Sequence, residues 1–424
     1  MRKEEFYVLN SLYNGSIGRA GCTYDVEETK ALNDTDIYNK LVKTGYIEKE
    51  SGSLTKTGLE ALEPYRVNNA VILAAGASTR FIPLSLEQPK GLFEVKGERL
   101  IERQIKQLQD AGIKNITVVL GYKKEMFYYL EDKYGVKFII NDSFNIKNNI
   151  ESLYLARKEL KNTYICVSDS YYIENPFNQF EYHTFYSGYY GKETTDEVYA
   201  RADGFGKITR IAKDNKIDGY VLMGHSFWRK EFSEAFINQV EAVRESGIYN
   251  NCYWEILVKD KLNDLPDIFF KEYLPGNIFE FDYFDELRKF DSQYLGHTHS
   301  EIIRNIKLVF RCDEEDIVDF RNVSEGMTNT SFILHNTFSG TPAIPDVLKC
   351  LPPPISNLVK LTSLCTFLIW LMTSSVWAFI ISLLHIPTLS LILLISSFLI
   401  SIYLLKISIL IKCIYLNVPF CIFS

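Results

Sequence analysis

Residues Ala70-Val71-Ile72-Leu73-Ala74 form an unbroken apolar run, and the chain behind them turns at once into small residues, Ala75-Gly76-Ala77-Ser78-Thr79, closed by Arg80 and Phe81. Five apolar residues with no polar alternation suit a strand buried on both faces, as in a parallel sheet. The period then switches back and forth. Residues 98–111 are helical in pattern, 115–120 a second apolar strand, 123–133 a helix, 137–141 a strand, 150–160 a helix and 164–167 a strand. Such alternation predicts βαβ units, hence an α/β fold with a mostly parallel sheet and helices on both faces. Sheets of this kind bind ligands at the carboxyl ends of their strands, which is where the small-residue loop sits.

The loop has the chemistry of a phosphate cradle. Small side chains at Ala75, Gly76, Ala77, Ser78 and Thr79 let backbone N–H groups approach a triphosphate closely. Arg80 adds a planar donor for phosphate oxygens, and Lys90, in the constrained Pro89-Lys90-Gly91-Leu92 turn, supplies a second cation. Phosphoryl transfer between anions also calls for a divalent cation held by carboxylates. Asp169 ends the apolar strand 164–167 beyond Ser168. Glu280 and Asp282 alternate with Phe279 and Phe281, so a strand there would carry both acids on one face.

Taken together, Leu73-Ala74-Ala75-Gly76-x-Ser78-x-Arg80-Phe81 followed by Pro89-Lys90 resembles the signature of the sugar-nucleotide and choline-phosphate nucleotidyltransferases. The resemblance implies a Rossmann-like domain over residues 67–292. In it Leu73, the loop 75–80 and Lys90 hold a nucleoside triphosphate, and Lys90, Arg80 and Asp169 are catalytic. Asp169, Glu280 and Asp282 would bind Mg²⁺. Gly121-Tyr122 occupies the place where relatives contact the base, and Asn149 and Ser152 the place where they read it. Asn and Ser can read a pyrimidine edge but do not separate CTP from UTP, and Asn148 or Asn149 would serve equally as a helix N-cap. The preference for CTP comes from the resemblance.

The acceptor side is rich in aromatics, among them Tyr182, Phe185, Tyr186, Tyr199, Phe227, Trp228, Tyr253 and Trp254, with Asp196, Glu197 and Glu255 as nearby acids. A quaternary ammonium is held by aromatic faces and a carboxylate, so Glu197, Tyr199, Phe227, Trp228, Tyr253 and Trp254 are candidates for binding phosphocholine. Gly224-His225-Ser226-Phe227-Trp228 and Tyr253-Trp254-Glu255 resemble segments of the phosphocholine enzymes, whereas Val198 departs from a tryptophan common in them. The alternatives are a sugar-1-phosphate nucleotidyltransferase and a DNA-binding regulator that senses nucleotide through a dead transferase. The intact Arg80, Lys90, Asp169 and Asp282 argue against a dead site.

Residues 1–66 alternate helical patterns at 4–13, 36–43 and 57–62 with two short strands around Ser51-Gly52, which resembles a winged helix-turn-helix. Its presumed recognition region carries Asp25, Glu27, Glu28, Asp34 and Asp36 against a single Lys30, and carboxylates there would repel DNA phosphates. The formal net charge of −7 likewise gives no support to a general nucleic-acid surface. Eight cysteines without a CxxC pair indicate neither a zinc site nor a disulfide framework. The polar N-terminus has no apolar segment of signal-peptide type, so a cytoplasmic catalytic domain is expected.

Residues 293–337 resemble the opening of a bacterial choline kinase through a helix at 300–306 and Gly326-Met327-Thr328-Asn329, with no catalytic-loop aspartate after it. From residue 338 the composition changes. Between 340 and 424 the only charged side chains are Asp346, Lys349, Lys360, Lys406 and Lys412. Apolar stretches at 362–384 and 389–405 are long enough to span a bilayer. Two readings stand: a membrane hairpin, or apolar sequence that a reading-frame change put in place of the kinase.

Overall fold

The computed structural model describes residues 1–18, 30–191, 198–213, 219–274, 276–310, 313, 317–323, 330–336 and 346–350. It divides into two compact units, one made of Met1–Phe81 with Gln88–Tyr294, the other of Ile82–Glu87 with Leu295–Ser424.

In chain order the strands of the first unit are β1 (Asn69–Ala74), β2 (Glu94–Val95), β3 (Glu98–Arg99), β4 (Ile116–Leu120), β5 (Lys137–Ile140), β6 (Thr163–Val167), β7 (Ser170–Tyr172), β8 (Phe185–Gly191), β9 (Tyr199–Ala202), β10 (Ile208–Ala212), β11 (Gly219–Trp228), β12 (Phe269–Glu272) and β13 (Ile278–Glu280). The central sheet runs β10-β9-β11-β6-β1-β4-β5, with β8 and β12 branching from β11. The four strands β6, β1, β4 and β5 are mutually parallel, as the apolar runs predict. β11 then joins β6 antiparallel, and β8 and β9 join β11 antiparallel.

β1 shows why its sequence lacks alternation. Ala70, Ile72 and Ala74 enter one core cluster, and Val71 and Leu73 enter the cluster on the opposite face. Side chains alternate across a strand, so a strand covered on both sides needs apolar residues at every position. The helices Leu100–Asp110 and Tyr129–Tyr134 close the first face through Ile101, Ile105, Leu108 and Leu130. Asn149–Leu155 and Lys230–Arg244 close the second through Ile150, Leu153, Phe232 and Phe236. The expected helix at 150–160 is shorter than its pattern, ending at Leu155.

The N-terminal residues form the helices Lys3–Ser16, Thr35–Lys43 and Lys56–Leu62, with a single antiparallel bridge, Ile47 to Leu54, in place of the two short strands. Asp25, Glu27 and Glu28 fall outside the described residues. Phe6, Leu9, Leu41, Ile47 and Leu62 make one core, and Phe180 completes it. Tyr65 stacks on Tyr182 with centroids 5.2 Å apart and planes 12° from parallel.

In the second unit, Glu87 Oε1 accepts the Ile302 backbone N–H at 2.8 Å at the start of the helix Glu301–Phe310. Ile317–Val323, Thr330–Asn336 and Asp346–Cys350 pair antiparallel in that order. The last of these strands lies beyond residue 338, where the sequence alone sets the start of the tail. The Gly326-Met327-Thr328-Asn329 segment and both apolar stretches of 362–405 lie outside the described residues. Among the described residues no helix is long and apolar enough to cross a membrane.

Candidate active site

A cleft of about 440 Å³ opens at the carboxyl ends of β1 and β6, lined by the loop after β1, the Pro89-Lys90-Gly91 turn, Ser168-Asp169, and the acids that follow Phe279. β1 delivers Leu73, Ala75, Gly76, Ser78 and Arg80 to its wall. A Cβ built on Gly76 meets nothing within 4 Å, so the missing side chain spares cleft space rather than relieving a clash. Ser78 takes the left-handed conformation, φ +50°, which bends the loop back towards Arg80.

Lys90 is the centre of the site. Its Nζ lies 2.7 Å from Asp169 Oδ2 and 3.9 Å from Asp282 Oδ1, and its side chain is only 7% exposed. Burial alone would favour the neutral amine, yet Asp169, Glu280 and Asp282 outweigh it and hold the pKa above the ordinary lysine value. The position is set from behind by Gly91, where a Cβ would stand 3.0 Å from Ser168 Cβ and Oγ. Any larger residue would have to push Ser168 at the end of β6 aside by a few tenths of an ångström.

Arg80 Nη1 binds Asp282 Oδ2 at 2.7 Å, and its guanidinium lies 5.3 Å from the Tyr283 ring centre. Partial burial opposes its charge, but Asp282 with Tyr283 and Tyr253 prevails and raises its pKa. Glu286 fixes the Asp282 loop by accepting the backbone N–H groups of Asp282 and Tyr283 at 2.7 and 3.0 Å. Asp282 therefore lies beyond the strand, which ends at Glu280, and the same-face expectation for the two acids is corrected. Glu280 Oε2 instead accepts the Gly224 N–H at 3.2 Å, at a register shift in β11.

The three carboxylates expected at a metal, Asp169, Glu280 and Asp282, all line the cleft around the Lys90 ammonium. Asp169 pairs with Lys90 and Asp282 with Arg80, while Glu280 accepts the Gly224 N–H, and among the described residues no three such side chains form a ready metal-binding group.

Of the predicted base-reading residues, Asn149 and Ser152 line the cleft. Asn149 Oδ1 accepts the Trp254 N–H at 2.8 Å, and Ser152 Oγ accepts from Asn141 Nδ2 at 3.0 Å. Gly121 and Tyr122 stand behind the phosphate loop rather than on the cleft wall. The Tyr122 N–H donates to Ala75 O at 3.0 Å, and a Cβ on Gly121 would meet that oxygen at 2.7 Å. Ala77 and Thr79 also lie off the lining. Asn141, Phe144, Lys147 and Lys213 line the cleft without having been singled out in the sequence. Asn141 follows directly on β5, at the carboxyl end of a parallel strand, and that position was the available signal.

The aromatic expectation needs the larger correction. Phe227 and Trp228 are fully buried in opposite core clusters, one on each face of the sheet, because neighbours on a strand point to opposite sides. Trp254 packs against Trp228 at 5.1 Å, and Tyr199 is buried with Ala212 and Val221. Glu197 lies outside the described residues. Tyr253 and Tyr186 remain on the cleft wall, with Val198, Leu222 and Glu255.

Residues 70–175 match the model of the MobA-like NTP transferase domain. The chain is 36% identical over 222 residues to choline-phosphate cytidylyltransferase of Streptococcus pneumoniae, covering 52% of this chain and 96% of that protein. This chain belongs to the choline-phosphate cytidylyltransferase family of nucleotidyltransferases. It is also 34% identical to 2-aminoethylphosphonate cytidylyltransferase of Lancefieldella rimae, over 54% of this chain and 93% of that one. A solved structure of the CTP:phosphocholine cytidylyltransferase from Streptococcus pneumoniae superposes with a TM-score of 0.52 at 35% identity, covering 54% of this chain and 98% of that chain. The matched length agrees with the cytidylyltransferase-like domain alone.

Proposed function

We propose that the chain transfers CMP from CTP to phosphocholine, giving CDP-choline and pyrophosphate. The observation that carries this reading is the Lys90 ammonium, buried beside the phosphate loop and 2.7 Å from Asp169. A cation held charged in a dry wall stabilises phosphoryl charge with no reorganisation at the moment of reaction. The kinship with cytidylyltransferases supports the choice of nucleotide and acceptor.

In this mechanism the backbone of residues 75–78 and Arg80 cradle the triphosphate. A phosphate oxygen of phosphocholine attacks the α-phosphorus in line. The new P–O bond forms as the bond to the bridging oxygen of the β-phosphate breaks, and the electron pair leaves with pyrophosphate. Lys90 offsets the charge on the transferred group, and no covalent enzyme intermediate is needed. Mg²⁺ fits the donor set: it takes one or two carboxylates and completes its shell with phosphate oxygens and water, and Asp169 and Asp282 are two hard donors on the same cleft. When bound it supplies charge neutralisation at the phosphates.

Pyrophosphate release measured with CTP, UTP, GTP and ATP against phosphocholine and hexose 1-phosphates tests the reading. CTP with phosphocholine should give the highest kcat/KM. Preference for a hexose 1-phosphate would refute it.

A further inference from the structure

The cleft contains five described acids, and four of them cluster at the Arg80 and Lys90 end: Asp169, Glu280, Asp282 and Glu286. The fifth, Glu255, stands on the wall with Tyr186, Val198, Leu222 and Tyr253. It is 8% exposed, its Oε1 accepts the Tyr186 O–H at 2.8 Å, and its Oε2 has no hydrogen-bond partner. A buried carboxyl oxygen left without a donor costs free energy, and a ligand that brings a donor recovers it. The surrounding wall is apolar and aromatic, which strengthens any charge pairing made there.

Resting on the reaction proposed above, we infer that Glu255 is the specificity-determining residue of the acceptor end, and that its unpartnered oxygen makes a primary-ammonium phosphoester a substrate alongside the quaternary one. A trimethylammonium group offers Glu255 charge but no N–H. A primary ammonium offers both, at the one acid of this wall that has an open acceptor among the described residues. Burial raises the Glu255 pKa, and the hydrogen bonds of Tyr186 and Asn149 with the charge of Lys213, which also lines the wall, work against that rise. The bond changes are those already given. The phosphate oxygen is the nucleophile, and the ammonium stays protonated against Glu255 and takes no part in bond making.

Three acceptors decide the matter with CTP: phosphocholine, phosphoethanolamine, and 3,3-dimethylbutyl phosphate, the uncharged carbon isostere of phosphocholine. The wild-type chain should use phosphoethanolamine within about tenfold of phosphocholine in kcat/KM, and both about tenfold or more better than the neutral isostere. Glu255→Gln should erase the preference for charge, leave the KM for CTP unchanged, and be partly rescued by Glu255→Asp. Turnover of phosphocholine but not phosphoethanolamine by the wild type would overturn the inference. So would a Glu255→Gln defect in the KM for CTP, which would assign Glu255 to the nucleotide, or an equal loss with the neutral isostere, which would make it a packing group. The wild-type ranking needs no variant and stands even where Glu255→Gln folds poorly. Use of hexose 1-phosphate and none of these three acceptors would instead sink the reaction itself, a separately recognisable result.

Discussion

Lys90 Nζ and Asp169 Oδ2 lie 2.7 Å apart, although one comes from a turn after β1 and the other from the far end of β6. The pair joins the two strand ends that flank the cleft. Lys90→Ala removes the buried cation and leaves Asp169 facing Asp282 without it. Turnover should fall by about 10²–10³-fold or more, as for loss of a preorganised electrostatic group. Asp169→Ala should do the same. Pyrophosphate release read beside a thermal melt checks both, and near-wild-type rates in either would remove this site from consideration.

Gly76 and Gly121 sit close in the fold and should fail in different ways. Gly76→Ala places a methyl in open cleft space, so the melting temperature should hold while the KM for CTP rises. Gly121→Ala drives a Cβ to 2.7 Å from the Ala75 carbonyl and the Phe144 side chain, so the loop must shift and stability should drop. Overpacking of this kind costs typically about 1–3 kcal/mol. Denaturant titration with a CTP binding measurement separates the two outcomes.

Trp228 and Tyr253 are both acceptor-site candidates by composition, and the fold separates them into a core residue and a cleft residue. Trp228 is fully buried, and Trp228→Ala should destabilise the chain by about 3–5 kcal/mol. Tyr253, 44% exposed on the cleft wall, should tolerate Tyr253→Ala in a melt and show its loss in the acceptor KM. The reverse pattern would restore Trp228 to the acceptor site.

Glu255 also sets a pH dependence of stability. Burial pushes its pKa up to about 7, against the hydrogen bonds and the Lys213 charge that pull it down. A carboxyl raised in the folded state binds more protons there than in the unfolded chain. Its favourable contribution is therefore complete below the unfolded value of 4.5 and is lost as pH rises to about 7. The loss is on the order of 3 kcal/mol. Glu255→Gln should flatten that fall in a urea titration series run without ligand.

Glu102 works in the opposite sense. Burial opposes its charge, but hydrogen bonds from Lys133, Tyr134 and Tyr129 hold its pKa near 2. Its stabilisation is present above 4.5 and lost as pH falls towards 2, so Glu102→Gln should remove part of the acid-side slope. An unchanged acid limb would show that this cluster contributes little.

The phosphate loop, Lys90 and Asp169 could be read from the chain because their chemistry depends on order along it: a buried strand, small residues, then a cation on a tight turn. The aromatic wall could not. Phe227 and Tyr253 are the same kind of residue on paper, and only the antiparallel extension of the sheet makes one core and the other surface. Glu280 and Asp282 were placed on one face because alternation implied a continuous strand, whereas Glu286 captures the backbone at Asp282 and ends that strand early. Asn141 carries no signal in its neighbours, and only its place at the carboxyl end of a parallel strand marks it.

Phe180 belongs to the core of the N-terminal helices, and Tyr186, six positions further along the same segment, lines the cleft. Six extended residues reach at most about 20 Å. The N-terminal helices thus share one short tether with the acceptor wall. Cutting the gene at Arg66, where the sequence pattern changes, would uncover Phe180 and unstack Tyr182 from Tyr65. A catalytic fragment meant for crystallisation or engineering should therefore keep the first helices, because they are part of the scaffold on which the substrate wall hangs.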